Sequence, residues 1–206
     1  MIEKERRVPE IIMQLHALLR RIPEMVHGRE KAASELNKPK AGFIGEQKLD
    51  YYLDFLDEKK YRIFHGLRLS NRKQFFHMDT LLLTKRLAMI LKVKNWNGTF
   101  ILEPNFHQLI RIHNEKEEAF HDPISKAEHQ SRQLKKRLAA NGFPDIPIEF
   151  DVFISSPSTI KKSPSKQTSS KVLHAHRLLS KLTSIEKSYS IERLNEKQIK
   201  KLAIHY

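Results

Sequence analysis

Phe75-Phe76-His77-Met78-Asp79-Thr80-Leu81-Leu82-Leu83 and Leu87-Ala88-Met89-Ile90-Leu91-Lys92-Val93-Lys94 decide the fold, as two apolar runs joined by Thr84-Lys85-Arg86. Runs of this length and continuity suit strands covered on both faces, in the middle of a sheet. A turn at Lys85-Arg86 sets Thr84 opposite Leu87 and Asp79 opposite Lys92. Side chains alternate along a strand, so Lys92 and Lys94 share a face. One acid and two ammonium groups thus converge on that face. The bland account takes the lysines as the start of the loop Asn95-Trp96-Asn97-Gly98, since edge-strand lysines guard against aggregation. It suffices for Lys94 alone. Convergence of all three inside apolar strands favours a site, because buried charge is costly unless paired or functional.

Working outward, Tyr61–His65 with Leu67–Leu69 predicts the preceding strand, closed by a polar turn at Ser70-Asn71-Arg72-Lys73. Gly98–Leu102 predicts a strand after the pair, Ser125–Leu138 a long amphipathic helix stopped by Asn141-Gly142, and Ile148–Ile154 a further strand. Upstream, Ile11, Leu15, Leu18 and Leu19 mark a helix over Val8–Arg21. A short charged helix follows over Arg29–Lys40, with a boundary at Asn37-Lys38-Pro39-Lys40, and then a separate helix over Gly42–Leu56. Downstream, residues 158–170 are rich in Ser, Lys and Pro and predict a flexible linker. Apolar periodicity returns from Val172 to Leu202, enough for one strand and one or two helices. Helices alternating with strands argue for an α/β layered domain.

The chain of 206 residues fits one domain with appendages. No apolar run approaches membrane-spanning length, and Met1–Arg7 mixes acids and bases unlike a secretory signal. The absence of cysteine excludes disulfides and thiolate metal sites and fits a reducing cytoplasm. A net charge of +14 points to a polyanionic partner, nucleic acid ahead of an anionic membrane surface.

Gly42-x-x-Gly45-Glu46, then Asp79, then Val93-Lys94-Asn95-Trp96-x-Gly98, then Asp122-Pro123-Ile124 leading into a Gln-containing helix, resembles the pattern of the nuclease-related (NERD) domain family. The resemblance spans roughly residues 40–156. It implies a restriction-endonuclease-like core, a central mixed sheet flanked by helices, of the PD-(D/E)xK superfamily, with ancestry in DNA cleavage. The implied organisation is an N-terminal helical segment over 1–39, the nuclease-like domain over 40–156, a linker over 157–170 and a C-terminal strand and helical tail over 171–206. In such a site a strand Asp and a Glu two residues before a Lys bind Mg²⁺, which wants hard oxygen ligands and activates water for attack on phosphate. By position Asp79 matches the Asp, Lys94 the Lys, and Glu46 the assisting helix acid; Asp79 and Glu46 are then the metal ligands.

The departure is Lys92, where the pattern wants Glu. A second is Lys126, where the helix usually carries Gln. Each unit interaction at about 4 Å is worth roughly 4 kcal/mol at an effective dielectric near 20, so a reversal of sign opposes a divalent cation strongly. The expectation is that Lys92 occupies the metal position and pairs with Asp79, with Glu46 or Glu128 as a rescue route for the missing oxygen. Lys126, Arg132, Lys135, Lys136 and Arg137 make a candidate phosphate-contact face on the long helix, against the alternative of a solvated surface. Trp96 is read as core packing or a base stacker. The histidines, including His107, His113, His174, His176 and His205, lack metal-ligand spacing and read as surface groups. The expected function is DNA binding by a nuclease-derived domain with impaired cleavage. The alternatives are an active Mg²⁺-dependent endonuclease using Glu46, Asp79 and Lys94, and a protein-interaction module.

Overall fold

The computed structural model describes residues 1–71 and 74–204. Arg72 and Lys73 of the expected turn, and His205, lie outside the described residues. Strands β1 (Ile2–Lys4), β2 (Arg62–Asn71), β3 (Gln74–Leu83), β4 (Ala88–Lys94), β8 (Ile148–Ile154) and β10 (Val172–His174) form a six-stranded mixed sheet in the order β1-β2-β3-β4-β8-β10. β2, β3 and β4 are antiparallel neighbours, whereas β4, β8 and β10 run parallel. Helices α2 (Arg29–Leu53) and α5 (Leu178–Ser188) cover one face, packing Leu49, Leu53, Leu178 and Leu182 on Met89, Leu91 and Phe153. Helices α3 (Pro123–Ala140) and α6 (Glu196–Ile204) cover the other, where Leu134, Leu138 and Ile199 meet Phe64, Leu81 and Ile90. Burial on both faces explains the near-continuous apolar character of β3 and β4. This is the α/β core expected from the sequence.

The β3–β4 register is the one the turn at Lys85-Arg86 predicts: Leu83 pairs with Ala88 and Thr80 with Leu91. Ala88 and Ile90 point to the α3–α6 core and Met89, Leu91 and Val93 to the α2–α5 side, so Lys92 and Lys94 continue the Ala88–Ile90 row. β2 is one strand rather than two pieces. Gly66, at φ +56°, sits between the pairs His65–Thr80 and Leu67–Met78, across from Asp79. The inward-facing residues change parity there, from Phe64 to Leu67 on β2 and from Leu81 to Met78 on β3. A left-handed residue that only glycine adopts freely lets the hairpin bend at the level of Asp79.

Two expectations are corrected. The two helices placed on either side of Asn37–Lys40 are the single helix α2, with Pro39 inside it. An interior proline costs about 3 kcal/mol. Packing offsets it: Leu36 and Phe43, on either side of Pro39, both pack with Ile12 and Leu15 of α1 (Glu10–Arg21). Second, the segment read as a linker holds β9 (Ile160–Lys162) and the start of α4 (Lys166–Lys171). Its order comes from backbone pairing with β5 (Thr99–Glu103) and from Lys161, whose ammonium donates to Ser169 O and Val172 O at 3.0 and 2.8 Å. The strand expected over Gly98–Leu102 is β5. It joins β9, β6 (Gln108–His113) and β7 (Lys116–His121) in a second sheet of order β7-β6-β5-β9. Phe100, Leu102 and Leu109 of this sheet pack on Val152, Ile154 and Val172.

Candidate phosphate-binding site

The β3–β4 ladder stops at Thr80–Leu91, and the side chain of Asp79 takes over the next strand amide. Its Oδ2 accepts from Val93 N–H at 2.9 Å, and its Oδ1 accepts from the Lys92 ammonium at 2.5 Å. Asp79 is 3% exposed and the Lys92 side chain 12%, so the pair is largely desolvated. His77 Nδ1 lies 3.8 Å from the same Oδ1, and burial, then the balance of Asp79 against the nearby lysines, holds its imidazole below the ordinary histidine range.

Glu46 comes from α2 and is brought to Asp79 by a close helix–strand approach. A Cβ on Gly45 would stand 2.3 Å from Asn95 Cβ and 2.9 Å from Ser155 Oγ. No other residue fits without moving the loop after β4. Asn95 fastens the same junction, donating to Ala41 O at 2.8 Å and accepting from Ser155 Oγ at 3.1 Å. Burial, then the nearby Asp79, pushes the Glu46 carboxyl up to about 7 against the pull of Arg6 and Lys92.

Arg6, which sequence reasoning passed over, is the cation that holds this acid. Its guanidinium bonds Glu46 Oε2, grips Asp50 at 2.6 and 2.8 Å, and reaches His65 Nδ1 at 2.8 Å and Thr80 Oγ1 at 3.0 Å. Burial, then Arg6, depresses His65 to about 4, leaving a neutral ring among charges. Strand β1 delivers Arg6 by pairing parallel to β2. Ile2-Glu3-Lys4 carries no apolar pattern, so the only available signal was a run of mixed charge.

Lys94 has no carboxylate at ion-pair distance among the described residues. Its ammonium stands 4.4 Å over the Trp96 ring. Burial, then the neighbouring Lys92, brings it down to about 8. Lys126, exposed in the first turn of α3, adds its field at Lys94 and His77. Lys92, Lys94 and Lys126 therefore do converge. Of the other helix cations, Arg132 pairs with Glu128 at 2.6 Å, Lys135 with Asp145 at 3.1 Å, and Arg137 donates to Ser70 O at 2.5 Å, while Lys136 is exposed. Trp96 is packed against Phe100 and Phe120 at 5.2 and 4.5 Å, the core role of its two readings. Asp122 caps α3, accepting from Ile124 N and Ser125 N at 2.9 and 3.0 Å.

A divalent ion wants free carboxylate oxygens in an octahedral shell. Both oxygens of Asp79 already accept hydrogen bonds, one from an ammonium, and Glu46 is held by a guanidinium. Among the described residues no group of three or more His, Asp or Glu side chains is placed to hold a metal. Glu128 forms an exposed i,i+4 pair with Arg132 at 2.6 Å. The donor set does not fit Mg²⁺. What remains is a cationic recess whose chemistry suits an anion.

No curated protein and no solved structure matches the chain. The family model described as the nuclease-related domain matches residues 41–155, a span that contains Gly45, Glu46, Asp79, Lys92, Lys94 and Lys126. On that match, and with the α/β core it requires, the chain belongs to the NERD, or nuclease-related domain, family.

Proposed function

We propose that this protein is a nucleic-acid-binding domain derived from a nuclease, acting on DNA, in which metal-dependent cleavage is weak or absent. One observation carries the reading: the Lys92 ammonium lies 2.5 Å from Asp79 Oδ1, on the oxygen a divalent ion would need. In its place the protein offers Lys94 and Lys126, cations with no acidic partner at ion-pair distance among the described residues, to a backbone phosphate. The net charge of +14 supports attraction of a polyanion at long range. No described helix is long and apolar enough to cross a membrane, and a cytoplasmic bacterial setting fits a cysteine-free DNA binder.

The competing reading, an active Mg²⁺-dependent endonuclease using Glu46, Asp79 and Lys94, draws support from the proximity of Glu46 to Asp79. It requires both Lys92 and Arg6 to leave their carboxylates. A Lys92→Glu variant separates the two. Plasmid nicking with Mg²⁺ or Mn²⁺ is expected from that variant and not from the natural chain, and titration calorimetry should detect metal binding only in the variant. Nicking by the natural chain, abolished by Asp79→Ala, would sink the proposal. The third reading, a protein-interaction module, predicts no salt-dependent binding to any nucleic acid.

A further inference from the structure

At the carboxyl ends of the parallel strands β4, β8 and β10 lies a cavity of about 410 Å³, lined by Lys48, Tyr51, Tyr52, Ser155, His174 and His176 among others. The crevice beyond the carboxyl ends of parallel strands is a favoured ligand position in α/β sheets, and the volume falls in the range of roughly 300–1,000 Å³ typical of small-ligand sites. Ser155 is common to this cavity and the lysine recess. Its hydroxyl donates to Asn95 Oδ1 at 3.1 Å and to Lys94 O at 3.5 Å, so one wall is bonded to the strand end that carries Lys94.

The wall chemistry is specific. Lys48 and Tyr51 recur at helical spacing on the exposed side of α2, followed by Phe55 just beyond it, outside the cavity lining, while Tyr52 is half-buried against the core. Tyr51 and Phe55 are 63% and 62% exposed, a large area of ring to leave in water. Tyr51 meets Tyr52 and Phe55 in T-shaped contacts with centroids 5.2 and 5.3 Å apart, and most of its side chain stays in solvent. Opposite, the His174 and His176 rings lie nearly parallel, 12° apart in plane with centroids 5.7 Å apart. No acidic side chain lines the cavity, and Lys48 has no ion-pair partner among the described residues. Flat rings, an unpaired cation and an absence of carboxylates complement a ligand that is itself flat and attached to anionic charge. A folded protein partner offers no such regular pairing of ring and phosphate.

We propose that this cavity receives one unstacked base of single-stranded nucleic acid, seated against Tyr51, with a flanking phosphate on Lys48. This rests on the nucleic-acid reading above and names the form of the ligand. Aromatic stacking is tolerant of sequence, so any base serves. Within a duplex, a base reaches the cavity only by leaving its stack, which costs energy that a free strand does not spend.

The test measures fluorescence anisotropy of the full chain with three probes of equal length: an oligothymidine strand, a fully paired duplex and an abasic sugar-phosphate strand. Tyr51→Ala is expected to weaken oligothymidine binding about 10-fold while leaving duplex and abasic binding unchanged, and Tyr51→Trp to retain affinity. Tyr51 is exposed, so these variants keep the core; melting curves verify that. A Tyr51→Ala variant that binds all three probes as the natural chain does, or loses all three equally, overturns the proposal. So does a dimer in sedimentation that Tyr51→Ala dissolves, which would assign the aromatic face to a second copy. If no probe binds in a salt-dependent way, the broader functional reading fails as well. If duplex binding persists and responds to Lys94, only the base cavity fails.

Discussion

Asp79 and Asp151 are buried acids on β3 and β8, the two strands that flank β4; Asp151 pairs with Leu91, and Asp79 lies one step past the Thr80–Leu91 pair. Asp79 has both oxygens hydrogen-bonded, to Lys92 and to a strand amide. Asp151 is fully buried, yet its two oxygens make no hydrogen bond; Lys171 and Lys181 stand at 3.6 and 3.5 Å. Burial lifts the Asp151 carboxyl to about 6 despite those two cations. Their surroundings differ in the same sense. Around Asp79 further cations gather without acidic partners. Around Asp151 the charges close on one another: Glu149 accepts from Lys171 at 3.1 Å and from the Tyr189 hydroxyl at 2.6 Å. The first cluster has cationic capacity left for a ligand. The second spends its charges on fastening α4 and α5 to β8, so it belongs to the architecture.

Three substitutions sharpen or break that contrast. The largest effect is expected from Asp151→Ala, which leaves Lys181 without its carboxylate and Lys171 with Glu149 alone. Breaking a buried pair costs about 3–5 kcal/mol, read as a fall in the urea midpoint with nucleic-acid affinity per folded molecule unchanged. A loss of affinity without a loss of stability would break the contrast. Next is Lys94→Met, expected to lower DNA affinity about 10-fold, equivalent to roughly 1.4 kcal/mol. Its pH profile carries the sign. Lys94 is lowered from its ordinary value to about 8, so it is a cation below pH 8 and loses its proton as pH rises through that point. Affinity of the natural chain should therefore decline between about pH 7 and 9, and Lys94→Met should flatten the decline. Lys126→Met should have the smallest effect, about twofold at low salt and fading as salt rises, because that side chain is exposed.

Much of the Asp79 site was legible in the sequence because it is local. A two-strand hairpin has one register per turn, and alternation then dictates which charges share a face. Lys92 opposite Asp79 follows from counting. The Arg6 contacts were not legible, since they join residue 6 to residues 46, 50, 65 and 80 through a three-residue strand with no periodicity. The continuity of α2 past Pro39 was hidden for a similar reason: local propensity favours a break, and the packing that overrides it comes from α1. Residues 158–170 look unstructured by composition, yet Ile160 N–H donates to Gly98 O at 3.0 Å and Thr159 Oγ1 to Trp96 O at 2.5 Å. Composition reports the apolar surface a segment can bury, and it is silent on edge pairing with a strand some sixty positions earlier. The β6–β7 hairpin escaped notice because β7, Lys-Glu-Glu-Ala-Phe-His, is almost wholly solvated.

Arg6 lies outside residues 41–155, although Glu46 and Asp50, the acids it neutralises, lie within them. The unit of homology and the unit of electroneutrality therefore have different borders. A fragment cut to the homologous span would leave a pair of carboxylates on one helix face confronting Asp79 without their guanidinium. Its metal affinity would then report the excision, and say little about the intact chain.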